Sequence, residues 1–109
     1  MIRKLVHGTL LFALAVTLPL SAGAAGDAQA GKTKAIPCMG CHGIPGYFNV
    51  YPTYHVPRIG GQHAKYIVAA LTAYKNGDRS HKTMRAQAAS LSEQDMADIA
   101  AFFAAAKDQ

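Results

Sequence analysis

The sequence predicts an all-α fold of about three to five helices. Apolar residues recur at helical spacing in separate segments, and capping residues stand at the ends of these segments. No segment shows the strict apolar–polar alternation that is typical of a half-buried strand. With 109 residues, the chain is expected to form one small domain.

The first 24 residues have the organisation of a secretory signal peptide. Arg3 and Lys4 form a basic n-region, residues 8–20 form an apolar h-region, and residues 22–24 offer an A-x-A cleavage site. The apolar run is shorter than the roughly 20 residues that span a bilayer, so cleavage is expected rather than a retained anchor. The chain is therefore predicted to be periplasmic, with a mature domain of residues 25–109 and no stable membrane span.

The charge balance restricts the kind of partner. The formal net charge is +5, and removing Arg3 and Lys4 with the leader leaves nine basic and six acidic residues, a net charge of +3. The sequence has no basic run or basic helix face of the kind that binds nucleic acid. The mild positive charge favours proteins with acidic docking surfaces as partners.

The first helix is predicted directly after the leader. Asp27 is a suitable N-cap, and small or apolar residues recur at helical spacing over residues 28–35. Pro37 is expected to end or bend this helix, because proline lacks the backbone N–H that a helix interior uses.

Cys38 and Cys41 are followed directly by His42 in a C-x-x-C-H motif, the attachment signature of a c-type haem. Two thiols at this spacing add to the two vinyl groups of one porphyrin, and the adjacent imidazole then lies beneath the iron. The motif therefore indicates one haem c that is covalently bound through two thioethers, with His42 as the proximal iron ligand.

Other uses of a C-x-x-C pair fit the sequence less well. A thioredoxin-like pair accompanies a βαβ pattern, and this pattern is absent. A structural zinc site needs four ligands, whereas the sequence has two cysteines and no second pair. A disulfide would leave the adjacent His42 without a role.

Residues 43–61 are predicted to form a loop without regular structure. Proline and glycine recur in this stretch too often for a helix. Four aromatic residues also lie in it: Tyr47, Phe48, Tyr51 and Tyr54. A loop of this length in a small domain usually has a function, and we expect it to wrap the proximal side of the haem.

The clearest helix is predicted over residues 62–76, and Gly77 is expected to end it in a left-handed C-cap. Residues 78–83 are predicted to form a polar loop, and residues 84–89 a single helical turn. The apolar stripe of the long helix consists of Tyr66, Ile67, Ala70, Leu71 and Tyr74.

The last helix is predicted to begin at Ser92. This residue is a suitable N-cap, and Asp95 three positions later completes an arrangement like a capping box. Lys107 is expected in the last turn, where a cation interacts favourably with the helix dipole. The predicted buried face consists of Met96, Ile99, Ala100 and Phe103.

The second axial ligand of the iron is sought among the methionines and histidines. Met84 and His81 lie three residues apart and compete for this role, and a Met ligand raises the reduction potential relative to a second His. His63 is expected to face solvent and His55 to be a loop residue. Met96 is better explained as part of the apolar face of the last helix.

Beyond the haem motif, the chain resembles the small monohaem class I cytochromes c of bacteria. It is most similar to single haem domains of the bacterial dihaem type, over residues 26–106. The resemblance implies a class I cytochrome c-like fold around one covalently bound haem. It rests on Cys38 to Gly43, Pro57 to Gln62, Tyr66, Gly77 to Arg79, Met84 and the closing helix.

The resemblance also implies roles for single residues. Met84 takes the place of the distal iron ligand, and the Pro57 carbonyl takes that of the acceptor for the Nδ1–H of His42. Arg79 corresponds to a residue near the haem propionates, where a guanidinium offsets negative charge.

A further implied contact joins the first and last helices. Gly31 corresponds to a glycine at their crossing, where the absence of a side chain lets an aromatic ring approach. Phe102 or Phe103 would supply that ring.

The function implied by the resemblance is electron transfer between redox proteins, without catalysis. Encounters with acidic partners are expected to be transient and weakened by salt. The basic residues expected near the exposed haem edge are Lys34, Arg58, Lys65, Lys82 and Arg85.

Two alternatives stay open. The chain would be the cytochrome subunit of a larger periplasmic oxidoreductase if the Tyr-rich segment 47–54 holds a permanent partner. It would be a gas-binding or peroxidatic haem protein if Met84 does not ligate the iron.

Overall fold

The computed structural model describes residues 25–106, and the predicted leader and Lys107 lie outside this range. The prediction of a helical fold is confirmed. None of the described helices is long and apolar enough to cross a bilayer. They are α1 Ala28–Lys34, α2 Ile36–His42, α3 Ala64–Asn76, α4 Lys82–Ala88 and α5 Glu93–Ala105, with a hairpin of β1 Phe48–Val50 and β2 Thr53–His55 between α2 and α3.

α1 begins at its predicted cap and crosses α5. The Asp27 carboxylate accepts two backbone N–H groups of the first turn, at 2.8 and 3.2 Å. A Cβ at Gly31 would overlap the backbone carbonyl of Asp98 and lie 2.9 Å from the Cβ of Phe102. The crossing therefore depends on glycine, and Phe102 is the aromatic residue in contact, whereas Phe103 is fully buried in the core.

The core lies between α3 and α5, with α4 packed on α3. Ile67 and Leu71 of α3 share one buried cluster with Ile99 and Phe103 of α5. α3 ends as predicted at Gly77, whose φ of 88° lies in the left-handed region. Residues of these helices line one side of the functional site described below.

The predicted capping box is present at the start of α5. The Ser92 hydroxyl accepts the backbone N–H of Asp95 at 3.0 Å, and the Asp95 carboxylate accepts that of Ser92 at 2.9 Å. The structure adds Asp98 to the buried side of this helix. The predicted buried face is confirmed at Met96, Ile99, Ala100 and Phe103.

Pro37 has a different role from the predicted one. α1 already ends at Lys34, and Pro37 lies in the first turn of α2. Proline is tolerated there, because the first N–H groups of a helix have no intrahelical acceptor. The C-x-x-C-H motif is consequently helical instead of following a helix end.

The prediction of a loop without regular structure over residues 43–61 is wrong in part, because a hairpin interrupts it. Only the central residue of each short strand, Asn49 or Tyr54, is partly buried. Three residues a strand give too little alternation for a sequence pattern to detect. The Tyr51–Pro52 peptide bond in the turn is cis. The paired residues are Phe48 and His55, Asn49 and Tyr54, and Val50 and Thr53.

The segment after Gly77 is more helical than predicted. Met84 lies in the first turn of the seven-residue helix α4, not at the start of a single turn. The Nδ1 atom of His81 accepts the Met84 N–H at 3.4 Å and caps this helix. Capping preferences favour Ser, Thr, Asp and Asn, so a histidine cap gives no signal in the sequence.

Candidate haem site

A cavity of about 440 Å³ lies between α2, the segment after the hairpin, α3 and α4. Its apolar wall includes Ile59, Ile67, Leu71, Leu91 and Ile99. Every residue predicted to bind the cofactor also lines it, namely Cys38, Cys41, His42, Pro57, Arg79 and Met84.

α2 presents both thiols and the imidazole of the motif to the cavity. Cys38 and Cys41 are three residues apart in this helix, which places them on one face, and neither is in a disulfide. Burial raises the pKa of the Cys38 thiol. A structural zinc site would need a group of His, Cys, Asp or Glu side chains arranged around the metal ion. Within residues 25–106 no group of three or more such side chains has this arrangement.

The Pro57 carbonyl orients the His42 imidazole. Nδ1 of His42 lies 2.7 Å from the carbonyl oxygen of Pro57. Because a carbonyl oxygen only accepts, Nδ1 carries the hydrogen and donates it, and the lone pair of Nε2 is left for a metal. This is the contact that the resemblance implied.

The two candidate methionines differ in their surroundings. Met84 is half-buried and lines the cavity. Met96 is 3% exposed, belongs to the core cluster, and its Sδ accepts the Thr72 hydroxyl at 3.6 Å. Met84 is therefore the methionine whose thioether has access to a cavity ligand.

The three candidate histidines also differ. His63 is an exposed residue at the start of α3 and does not line the cavity. His55 lines the cavity, and its ring centroid lies 4.8 Å from that of Phe48. His81 lines the cavity as well, but its Nδ1 caps α4 and its ring meets that of Tyr54 edge-on at 4.6 Å.

Arg79 is held against one wall of the cavity by an aromatic ring. Its guanidinium carbon lies 4.5 Å from the centroid of the Tyr74 ring, a cation–π contact. Both residues line the cavity. The position suits a cation that offsets negative charge on a ligand, and its role toward the propionates stays a prediction.

Lys34 joins α1 to α5 through two carboxylates. Its Nζ lies 2.8 Å from Asp95 and 2.7 Å from Asp98. The hydrogen bond from Lys34 holds the pKa of both carboxyl groups below the ordinary range, at about 2 for Asp98, and the same bonds raise the pKa of Lys34. Asp98 also accepts the Asp27 N–H, at 2.8 Å. Lys34 is thus engaged within the fold.

The structure places four of the five predicted basic residues on two surfaces. Lys34 and Arg58 line the cavity. Lys82 and Arg85 lie with Lys75 on a separate groove of about 330 Å³, which we name the α3–α4 groove. Lys65 lines neither surface. Tyr74 contributes to both walls, which brings the α3–α4 groove next to the cavity.

The residues around the cavity fit a covalently bound haem. Two thiols and an imidazole whose Nδ1 is hydrogen-bonded to Pro57 come from α2, and a thioether comes from α4. Among the described elements, α2 and α4 do not pack on each other, so these donors border the cavity from separate helices. The apolar wall suits a macrocycle, and the guanidinium of Arg79 suits its acidic substituents.

Comparison with known proteins identifies the family of this chain. The family model for cytochrome c matches residues 28–107. The chain belongs to the cytochrome c family. Members of this family are electron carriers, not enzymes, and their cofactor is a covalently bound c-type haem with iron. Cys38 and Cys41 fit the C-x-x-C-H motif that attaches it.

Relatives within the family include proteins of two lengths. The chain is 42% identical over 100 residues to cytochrome c4 of Pseudomonas aeruginosa, covering 90% of this chain and 48% of the relative. It is 40% identical over 82 residues to cytochrome c-554(548) of Halomonas halodenitrificans, covering 72% of this chain and 95% of that protein. The chain thus spans about half the length of the first relative and nearly all of the second.

A solved structure of cytochrome c4 from Acidithiobacillus ferrooxidans has a similar fold. It superposes with a TM-score of 0.58 and 32% sequence identity, over 78% of this chain and 53% of that one. The predicted class I cytochrome c fold and the predicted family are confirmed.

Sequence reasoning missed two side chains at the edge of the site. Tyr54 and Thr83 line the cavity, and their hydroxyl groups lie 3.2 Å apart. They are 29 positions apart in the chain, so no local pattern would pair them. The aromatic content of segment 47–54 was the available signal, but it did not single out Tyr54.

Proposed function

We propose that the protein is a periplasmic electron carrier that exchanges single electrons with redox proteins through one haem, with His42 and Met84 as axial iron ligands. The observation that carries this proposal is the meeting of both motif thiols, His42 and Met84 at one apolar cavity. The bound haem supplies a one-electron couple at its iron.

The proximal side is supported by the hydrogen bond to Pro57. Its carbonyl accepts the Nδ1–H of His42 at 2.7 Å, fixes the ring orientation and increases the basicity of Nε2. Val56, directly before Pro57, is 7% exposed, and its N–H donates to the Tyr47 carbonyl at 2.9 Å. The acceptor is therefore held by a well-anchored backbone.

The distal side is supported by the position of Met84. A thioether is a neutral, soft ligand, and a Met/His pair raises the reduction potential relative to two histidines. His81, the main competitor, already uses Nδ1 in the cap of α4. Apolar side chains such as Ile67 and Leu71 line the cavity, and an apolar surround also influences the potential.

A periplasmic location is supported by the leader-like residues 1–24. Covalent haem attachment outside the cytoplasm agrees with export. The test is production of the full chain with its leader in a host that attaches haem in the periplasm, followed by mass measurement of the recovered holoprotein. The expected mass is that of a chain that begins near residue 25 and carries one haem. A mass that includes the leader would contradict the proposal.

Partner proteins with acidic surfaces fit the α3–α4 groove. Lys75, Lys82 and Arg85 supply basic side chains, and none of the described residues that line the groove is acidic. Tyr74 borders both this groove and the cavity. An acidic partner seated there would lie close to the haem, and its association would weaken as salt increases.

One structural feature favours the alternative of a subunit in a larger oxidoreductase. The hairpin turn exposes Val50 to 83% and Tyr51 to 95%, and Phe48 beside them is 58% exposed. Exposed apolar residues that cluster in this way are typical of contact surfaces. A second chain that co-purifies in fixed ratio would establish this alternative, and a holoprotein that purifies alone at natural abundance would exclude it.

Carbon monoxide binding tests the carrier function against a gas-binding one. The ferrous parent protein is expected to be inert, because Met84 occupies the site that carbon monoxide needs. Met84→Ala serves as the positive control and is expected to bind rapidly. Rapid binding by the parent would contradict the carrier assignment.

A further inference from the structure

We propose that Tyr54 and Thr83 form a clamp that joins the hairpin to α4 and holds Met84 at the haem cavity. The inference rests on the proposed His42/Met84 ligation. It goes beyond that proposal because it gives the hairpin a positioning function for the distal ligand.

The first contact of the clamp is a hydrogen bond across the cavity edge. The phenol oxygen of Tyr54 lies 3.2 Å from Oγ1 of Thr83. Tyr54 is the partly buried central residue of β2, and Thr83 directly precedes Met84 in α4. The bond therefore ends one residue from the proposed ligand.

The second contact of the clamp runs through His81. The Tyr54 ring meets the His81 ring edge-on, with centroids 4.6 Å apart and an interplanar angle of 88°. Nδ1 of His81 in turn accepts the backbone N–H of Met84 at 3.4 Å. One tyrosine thus supports both the residue before Met84 and the cap that bonds to Met84 itself.

The first turn of α4 needs such support. A seven-residue helix is unstable by itself in water, so its position depends on the contacts that anchor it. Among the described helices, α4 packs only on α3, and its buried anchor, Ala88, lies at the opposite end from Met84. Lys82 and Thr83 are exposed, and Met84 packs only in part against the core cluster, so the clamp adds a polar anchor at this end.

The same short segment supports both proposed ligands. Pro57 lies three residues after Tyr54, and its carbonyl holds the His42 ring. Tyr54 holds the start of α4. Residues 54–57 therefore carry the two supports as separate groups, the Tyr54 side chain and the Pro57 carbonyl. Removing the Tyr54 hydroxyl is expected to weaken the hold on Met84 and to leave the contact to His42 in place.

The test compares Tyr54→Phe and Thr83→Val with Tyr51→Phe. The first two variants remove the same hydrogen bond from opposite ends. The third makes the same chemical change as the first at the hairpin turn, where Tyr51 is 95% exposed. The readout is the affinity of the ferric holoprotein for imidazole, which competes with Met84 for the iron.

A clamp predicts that imidazole binds about two- to ten-fold more tightly to Tyr54→Phe and to Thr83→Val. The double variant is expected to match the single ones, because all three lack one shared bond. Tyr51→Phe is expected to match the parent. Unchanged imidazole affinity in the first two variants, or an equal change in Tyr51→Phe, would overturn the clamp.

Amide hydrogen exchange separates failure of the clamp from failure of the proposed ligation. Faster exchange at Met84 in Tyr54→Phe, with unchanged exchange at Ile99 in α5, supports the clamp whichever residue ligates the iron. Equal acceleration at both amides, or none at Met84, would overturn it. Failure of the ligation proposal is detected separately, as a parent spectrum without a Met–iron band.

Discussion

His42 and Pro57 are 15 residues apart in the chain, yet the imidazole Nδ1 and the carbonyl oxygen lie 2.7 Å apart. The acceptor belongs to the backbone, so any residue at position 57 supplies it. The proline ring fixes φ, and this limits the conformations of the unfolded chain. The side chain and the carbonyl therefore have separable roles.

Pro57→Ala is expected to lower the free energy of unfolding by about 0.4–1 kcal/mol and to leave the haem ligation spectrum unchanged, because the carbonyl is retained. Chemical denaturation and absorption spectra of the holoprotein measure the two effects. Pro45→Ala, in an exposed part of the same loop, is the control for loss of a proline. A changed ligation spectrum in Pro57→Ala alone would show that the ring itself positions His42.

Gly31→Ala is expected to lower the free energy of unfolding by about 2 kcal/mol. The added Cβ overlaps the Asp98 carbonyl, and the strain outweighs the gain in helix propensity of about 1 kcal/mol. Gly40→Ala is the control, because Gly40 is exposed in α2 and an added Cβ would meet no atom of the described residues within 4 Å beyond its own helix backbone and chain neighbours. Thermal unfolding measures the effect. A midpoint temperature of Gly31→Ala equal to or above that of the parent would contradict the close approach of α1 and α5 at Gly31.

Asp98→Asn is expected to make the free energy of unfolding depend less steeply on pH in the acid range, which we call the acid limb. The hydrogen bond from Lys34 lowers the pKa of Asp98 from an ordinary value of 3.8 to about 2. A lowered carboxyl pKa stabilises the fold fully above the unfolded value, and this contribution disappears as pH falls through the folded value. The parent should therefore lose stability between about pH 4 and 2 in part through Asp98.

Urea unfolding of the holoprotein between pH 2 and 7 measures this difference. Glu93→Gln removes a carboxylate from the exposed start of α5 and is the matched control, with an acid limb like that of the parent. An acid limb in Asp98→Asn as steep as in the parent would mean that the bonds of Asp98 to Lys34 and Asp27 add no pH-dependent stability.

Lys82→Glu is expected to slow electron transfer to hexacyanoferrate(III), an anionic oxidant, more than Lys65→Glu does. Both variants change the net charge equally, but only Lys82 lines the α3–α4 groove. A difference of about two- to ten-fold is expected at low ionic strength and should shrink as salt is added. Equal rate constants for the two variants in stopped-flow experiments would place the electron-transfer surface elsewhere.

The sequence was most predictive where chemistry or capping is local. The C-x-x-C-H motif indicated that Cys38, Cys41 and His42 bind haem, because this signal depends only on the spacing of five consecutive residues. Asp27 and Ser92 were recognisable as caps for the same reason, since each bonds to the first turn that follows it.

Apart from the His42–Pro57 and Gly31–Phe102 contacts that the family resemblance implied, long-range contacts were not predicted from the sequence. The hairpin has three residues a strand, too few for a periodic pattern, and the Tyr54–Thr83 bond spans 29 residues. Asp98 was missed as a buried residue because its Lys34 partner lies 64 positions away. Such contacts depend on how the helices pack, which no local rule encodes.

The most direct test of the account is the ferric absorption spectrum of the parent, Met84→Leu and Met96→Leu. Both substitutions conserve volume, but Met84 lines the cavity whereas Met96 lies in the core. A far-red Met–iron charge-transfer band is expected in the parent and in Met96→Leu, and its loss is expected in Met84→Leu. A parent without the band, or a Met84→Leu protein that retains it, would contradict His42/Met84 ligation and the carrier function built on it.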